Sequence, residues 1–186
     1  VEDNAVVAEL KKAFAGKKVL LVAPGKNICS AMKQIRDITD KNDVVSIGLN
    51  TKLDFVDYLL TTRKEIYDIA VAEGRKIIVC SNVSKGGRGN VKILNYSNWI
   101  ETDERTHDSS SVIALNLLRA CGVKEILLAG FDGFDVNINE NYYDPNMRRP
   151  VNVEQVERRN NFYKQFINKV KDDGIDIKFV TPSKYE

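Results

Sequence analysis

Residues that commonly carry metal or nucleophilic chemistry are scarce in this chain. Its 186 residues include one histidine, His107, and three cysteines. With a single histidine there can be no histidine-rich metal site, and no carboxylate is placed to complete a Ser–His pair as a triad. Cys29, Cys80 and Cys121 are odd in number and widely spaced. They lack metal-ligand spacing and read as buried, reduced thiols of a cytoplasmic protein. Charge of one sign is missing as well: a net charge of +2 gives no global attraction to nucleic acid. No stretch approaches the ~18 consecutive apolar residues of a membrane span, and no signal peptide is visible. The expectation is a cytoplasmic protein with neither a membrane nor a nucleic-acid partner. Val1 stands where an initiator methionine would be, which suggests a piece cut from a longer chain.

What is present is ordinary globular material, 43% hydrophobic and 29% charged. A chain of this length can bury a two-sided core, so residues 1–186 are read as one domain. The clearest structural grammar lies between Ser109 and Asp135. Asp108 and Ser109 are both suited to cap a helix, because each offers a side-chain oxygen to a first-turn N–H. The residues that follow, from Val112 to Ala120, have almost no polar face, which marks a helix buried all round. Gly122 sits where a left-handed C-terminal residue is wanted. Ile126, Leu127 and Leu128 then read as a strand covered on both faces, followed by Gly130 and Asp132 at its carboxyl end.

The rest of the chain repeats this alternation. A helix over residues 3–15, capped by Asp3, stops at Gly16. Val19 to Ala23 is an all-apolar strand, and Pro24-Gly25-Lys26-Asn27 leads from it into a helix through Ile28, Met32 and Ile35. Val44 to Ile47, Val56 to Leu60, Lys76 to Cys80 and Val91 to Leu94 are further strands. A helix over residues 64–73, closed by Gly74, separates two of them. Residues 84–90 form a flexible loop with Lys85 and Arg88, and Tyr96, Trp99 and Ile100 pack over an edge. Residues 135–150 are long, polar and irregular. They hold Tyr142, Tyr143, Asp144, Arg148 and Arg149, and could serve as a lid. An amphipathic helix over Val153–Asp172 stops at Gly174, and Ile175 to Val180 is the last strand. Short apolar strands alternating with helices predict a three-layer α/β, Rossmann-like fold of about seven mostly parallel strands with helices on both faces.

In such sheets ligands bind beyond the carboxyl ends of the strands. Candidate ligand-binding residues are therefore Gly25, Lys26, Asn27, Asn50, Ser81 and Asn82, with Ser110, Ser111, Gly130, Asp132, Tyr142 and Tyr143. Neutral hydrogen-bonding groups at those ends suit a base, ribose and phosphate better than they suit acid–base chemistry. The turn at Gly25 joins a strand to a helix start, an arrangement that favours a phosphate or carboxylate, with Lys26 as a cation. It is neither the P-loop nor G-x-G-x-x-G. Asp132 and His107 are the only candidates for a catalytic pair. Asp132 with Asp135 or Asp144 could hold Mg²⁺ against phosphates, since hard cations take carboxylate oxygen.

Two family resemblances rest on these residues. The series VLLVAPGKNI, VVSIGLN, VDYLLTTRKEIYD, IIVCSN, GVKEILLAGFDGF and FVTPSKY covers nearly the whole chain. It resembles the C-terminal domain fused behind the aldolase barrel in bacterial chains of the HMG-CoA lyase and 4-hydroxy-2-oxovalerate aldolase type. The resemblance implies that the divalent metal and the lyase chemistry belong to that N-terminal barrel, a partner within the parent chain. This domain has no H-x-H motif and no D-R-E-like opening. At fold level the chain is similar to CMP-sialic-acid-dependent sialyltransferases and to Rossmann-like pterin diphosphokinases. They too have a Gly- and Asn-bearing first loop, an asparagine after the second strand and a Ser/Thr turn before a buried helix. A G-x-D after the next strand, like Gly130-Phe131-Asp132, completes the likeness. Phe134 replaces the tyrosine of the transferases, and no histidine follows it. Three expectations emerge. The first is an accessory or regulatory domain of a putative aldolase that binds a nucleotide-like or phosphorylated small molecule. The second is a nucleotide-dependent transferase, sialyltransferase-like or diphosphokinase-like. The third is an oligomerisation domain that uses the helix at 153–172 to form a homo-oligomer.

Overall fold

The computed structural model describes residues 3–86, 89–101 and 109–186. His107, Asp108 and Arg88 lie outside the described residues. Seven strands form one sheet: β1 (Lys18–Val22), β2 (Val44–Leu49), β3 (Tyr58–Leu60), β4 (Ile77–Cys80), β5 (Val91–Leu94), β6 (Glu125–Ala129) and β7 (Asp176–Phe179). Their order is β5-β4-β3-β2-β1-β6-β7, and every neighbouring pair is parallel. Five helices accompany them: α1 (Asn4–Phe14), α2 (Ile28–Thr39), α3 (Lys64–Ala72), α4 (Ser110–Ala120) and α5 (Val153–Asp172). The fold is a three-layer, Rossmann-like α/β domain.

The period-two alternation of strand side chains divides the core. Val19 and Leu21 of β1 pack into one cluster with Phe14 of α1, Leu115 of α4 and Phe166 of α5. Leu20 and Val22 point the other way, with Ile28 and Ile35 of α2 and Ala70 of α3. Central strands must satisfy both clusters, which is why β1 and β4 read as unbroken apolar runs. Helix α4 is buried at Ser110, Val112, Ile113, Ala114, Leu115, Leu117 and Leu118, as its lack of a polar face requires. In α5 the apolar positions Tyr163, Phe166, Ile167 and Val170 are buried within the domain. A capping box closes its start, with Gln155 N–H donating to Asn152 Oδ1 at 2.8 Å. Among the described residues no helix is long and apolar enough to cross a membrane.

Two local expectations are corrected. Asp3 precedes α1 but gives it no side-chain cap. Its carboxylate instead accepts from Asn95 N at 2.7 Å, Asn98 Nδ2 at 2.8 Å and Trp99 Nε1 at 2.8 Å. A buried indole N–H left without an acceptor costs more than an uncapped first turn, so the tertiary partner prevails. Strand β3 starts at Tyr58 rather than Val56 because Asp57 turns its carboxylate onto β2. Asp57 Oδ2 accepts from Ser46 N at 2.8 Å and takes the place of a ladder carbonyl. The segment 135–150 is irregular apart from two short 3-10 turns, Ile138–Glu140 and Pro145–Met147.

Candidate functional site

From β1 the chain steps outwards through β2, β3, β4 and β5, then returns to place β6 on the other side of β1. The loops after β1 and β6 therefore leave neighbouring strands for opposite halves of the sheet. Open parallel sheets bind ligands in the crevice at such a switch point. Here the two loops remain paired beyond the strands. Ala23 N donates to Ala129 O at 2.8 Å and Gly25 N to Gly130 O at 3.0 Å. Gly130 N in turn donates to Thr181 Oγ1 at 2.8 Å. The approach is too close for side chains: a Cβ on Gly25 would lie 2.2 Å from Gly130 O and 2.5 Å from Asp132 Cγ.

This packing settles the role of the turn at Gly25. Asn27 N, at the start of α2, donates to Asp132 Oδ2 at 2.7 Å. The anion attracted by that helix start is thus the protein's own carboxylate. Burial raises the Asp132 pKa, and the amides of Asn27 and Lys26 lower it in part. Lys26 Nζ turns away to both carboxylate oxygens of Glu140, at 2.9 Å each. Asn27 Nδ2 donates to Pro182 O at 3.1 Å.

A cleft of about 420 Å³ opens beside these loops. Its polar wall comes from the carboxyl ends of β2 and β3 and from the start of α4: Asn50, Thr62, Arg63, Ser109, Ser110 and Ser111. Arg149 adds a second guanidinium from the 135–150 segment. The rest of the lining is largely aromatic and apolar, with Phe131, Phe134, Tyr142, Tyr163, Tyr185 and Met147. Its rings hold one another: Phe134 stacks on Tyr163 at 6.2 Å and meets Tyr142 edge-on at 6.3 Å, and Tyr163 lies 5.7 Å from Tyr185. Burial raises the pKa of Tyr142, against the nearby charges of Arg159, Arg63 and Arg149. It raises that of Tyr185 further. Both phenols are therefore neutral hydrogen-bonding groups at physiological pH.

Asn50 organises the polar wall. It is the one non-glycine with positive φ among the described residues, at 49°. Asparagine tolerates this left-handed conformation better than other side chains. Asn50 Oδ1 accepts from Thr61 Oγ1 at 2.8 Å and Thr62 N at 2.9 Å. Its Nδ2 donates to Thr62 Oγ1 at 3.0 Å and Ser110 Oγ at 3.2 Å. One side chain thereby ties β2, β3 and α4 together. Ser109 caps α4, its hydroxyl accepting from Val112 N at 3.3 Å.

Of the residues singled out from sequence, Gly25, Asn50, Asn82, Ser110, Ser111, Gly130, Asp132 and Tyr142 line this one cleft. Lys26, Asn27, Ser81 and Tyr143 do not. Ser81 Oγ accepts from Tyr96 N at 3.2 Å. The Tyr143 hydroxyl accepts from Lys52 N at 3.1 Å, and its ring borders a separate 190 Å³ cavity. The carboxylates considered for Mg²⁺ are dispersed among other partners. Asp135 pairs with Lys184 Nζ at 2.9 Å, and Asp144 Oδ1 accepts from Asn146 N at 2.9 Å. Among the described residues no group of three or more His, Cys, Asp or Glu could hold a metal ion. Sequence reasoning missed Thr62 and Arg63, although they follow β3 as Asn50 follows β2. It also missed Tyr163 and Tyr185, which their spacing and position disguise as core. No protein-family model matches the sequence, and no curated protein matches it either.

Proposed function

We propose that this domain binds a small anionic ligand with a flat apolar part, a nucleotide-like or phosphorylated molecule, at the switch-point cleft. We further propose that it does so as an accessory or regulatory module of an aldolase-type chain. The observation that carries the ligand reading is the composition of the cleft. Hydroxyls, an amide and two arginines line it together with a mutually packed set of aromatic rings. Ring stacking takes a base or similar planar group, and the donors take its anion. The accessory role draws on the sequence resemblance and on the inventory of the cleft. Its carboxylate, Asp132, gives Oδ2 to the start of α2 and keeps Oδ1 buried without a partner. Among the described residues no histidine, cysteine or lysine stands beside it in the lining, so binding is favoured over proton transfer.

Thermal shift and titration calorimetry with CMP, UDP, ATP, CoA and pyruvate test this reading. A ligand at 100 times its dissociation constant adds about 2.7 kcal/mol. For a domain of this size that raises Tm by about 5–10 °C. At least one nucleotide or CoA is expected to do so, with pyruvate inert. No shift from any of the five at millimolar concentration would overturn the reading.

A further inference from the structure

Hydrogen-bond direction gives the polar wall of the cleft a fixed sense. Four hydroxyl groups line it, those of Thr62, Ser109, Ser110 and Ser111. The first three already accept from an N–H: Thr62 and Ser110 from the Asn50 amide, Ser109 from Val112 N. The orientation of that amide is forced. The Thr62 backbone N–H can only donate, and it lies 2.9 Å from Oδ1, so the NH₂ group is the one facing the two hydroxyl oxygens. The protons of Ser109 and Ser110 meet no acceptor among the described residues. Thr62 has only Asn50 Oδ1 at 3.5 Å, long for an O–H···O bond. All three hydroxyls are therefore donors to whatever enters the cleft. The first-turn N–H groups of Ser110 and Ser111 add to them, since a helix start leaves these without intrahelical partners. Arg63, whose Nε donates to Glu65 Oε1 at 2.7 Å, and Arg149, whose Nη1 donates to Asn146 O at 3.0 Å and Arg148 O at 2.7 Å, complete a wall made of donors with their remaining N–H groups. The carboxylate of Asp132 lies elsewhere on the cleft and repels an anion towards that wall.

We infer that the Asn50–Thr62–Ser110 wall receives a terminal phosphate, a phosphomonoester dianion, whose ester oxygen points towards the aromatic side. This rests on the ligand reading above and deepens it. A carboxylate has two oxygens and a phosphodiester two free ones. A terminal phosphate offers three non-bridging oxygens, all acceptors, to the three oriented hydroxyls, the Ser111 hydroxyl and two guanidinium groups. Asn50 acts as a positioning residue: its amide donors decide which way two hydroxyl protons point. Aspartate in its place would keep the shape and the left-handed backbone. It would still accept from Thr62 N, but its second oxygen would draw both hydroxyl protons inwards and repel the anion.

Inorganic phosphate, observed by ³¹P NMR, is the probe, followed by calorimetry with 5′-CMP and 5′-AMP against cytidine and adenosine. Phosphate is expected to bind saturably, and Asn50→Asp to weaken it by roughly tenfold or more without weakening the nucleosides. Ser110→Ala is expected to weaken phosphate in the wild-type background and to have no further effect beside Asn50→Asp, because the serine proton is already turned away there. A purely structural role for Asn50 would weaken nucleosides and nucleotides alike. Should Asn50→Asp fail to fold, Ser110→Ala and Arg63→Gln carry the same phosphate-against-nucleoside comparison. Non-saturable phosphate, or phosphate affinity unchanged in Asn50→Asp, overturns the inference. Nucleosides bound as tightly as 5′-nucleotides overturn it too, while the ligand reading stands. Saturable phosphate with no nucleotide bound supports the phosphate wall and removes the nucleotide-like reading.

Discussion

Gly25→Ala is the sharpest test of the switch-point packing. The new Cβ would lie 2.2 Å from Gly130 O and 2.6 Å from Asp132 Oδ1, a backbone carbonyl and a fixed carboxylate, neither of which can swing aside. Relief requires the two loops to part. Overpacking of this kind costs about 1–3 kcal/mol. Parting the loops also breaks the bond from Gly25 N to Gly130 O, a loss of about 1 kcal/mol. It further draws Asp132 away from Asn27 N, and loss of a helix cap costs about 1 kcal/mol. The sum is about 3–5 kcal/mol, and at 2–4 °C for each kcal/mol Tm should fall by about 6–20 °C. Gly16→Ala is the control. Nothing lies within 4 Å of its Cβ, but its φ of 70° strains any side chain, so it should cost about 1 kcal/mol. Urea and thermal denaturation of the two variants, followed by circular dichroism and Trp99 fluorescence, give the comparison. If Gly25→Ala loses no more than Gly16→Ala, the two loops are not in the tight contact on which the cleft floor depends.

Four further outcomes are expected. Asp3→Ala leaves the indole N–H of Trp99 buried without its acceptor, at a cost of about 2–3 kcal/mol. Since Trp99 is the only tryptophan, its emission should shift in the native state; unchanged emission and stability would discard the Asp3 tether. Burial pushes the thiols of Cys80 and Cys121 up to about 12 and about 11, whereas Cys29 is exposed. A thiol reagent at neutral pH should thus modify one cysteine quickly and the other two only on unfolding. Asp132 holds its proton more readily folded than unfolded, its pKa being raised by burial from the ordinary 3.8. It therefore favours the folded state at low pH, and that contribution is lost as pH climbs through the raised value. Compared with Asp132→Asn, wild type should lose ground as pH rises above the ordinary carboxylate value of 3.8, and parallel stability profiles would contradict this. Thr51 is fully buried with its hydroxyl unpartnered, so Thr51→Val should be neutral or stabilising by up to about 1 kcal/mol; a clear loss of stability would reveal a bond to that hydroxyl.

How much of this was legible depended on the range of the forces involved. Strands such as β1 and β4 announce themselves because a central parallel strand must be apolar on both faces. The bounds of α5 were readable from its period and from Gly174. Short-range rules failed where a distant group outbid a local one. Asp3 has the side chain of a cap, but Trp99, far along the chain, needs its carboxylate more. Asp57 interrupts the otherwise apolar run from Val56 to Leu60, and it serves Ser46 on the neighbouring strand instead of extending β3. The candidate site shows the same division. Asn50, Ser110 and Asp132 were visible because strand ends in a parallel sheet converge on one edge. Tyr163 and Tyr185 were not, because an aromatic side chain at core spacing looks the same whether its hydroxyl meets protein or a cleft.

The turn at Gly25 shows where such reading stops. The rule that a helix start attracts an anion holds there, and the anion is Asp132, 105 residues away. Sequence identifies both the electropositive helix start and the acidic residue, but only the pairing of β1 with β6 brings them together. Once that pair is made, the helix start no longer offers its charge to a ligand, and Lys26 turns outwards to Glu140. The helix start left to the cleft is that of α4. Its anion is not supplied by the described residues, and Asn50 holds two of the neighbouring hydroxyls as donors. On the proposed ligand reading, the negative charge belongs beside Ser110 rather than beside Gly25, although the sequence marks both positions by the same rule.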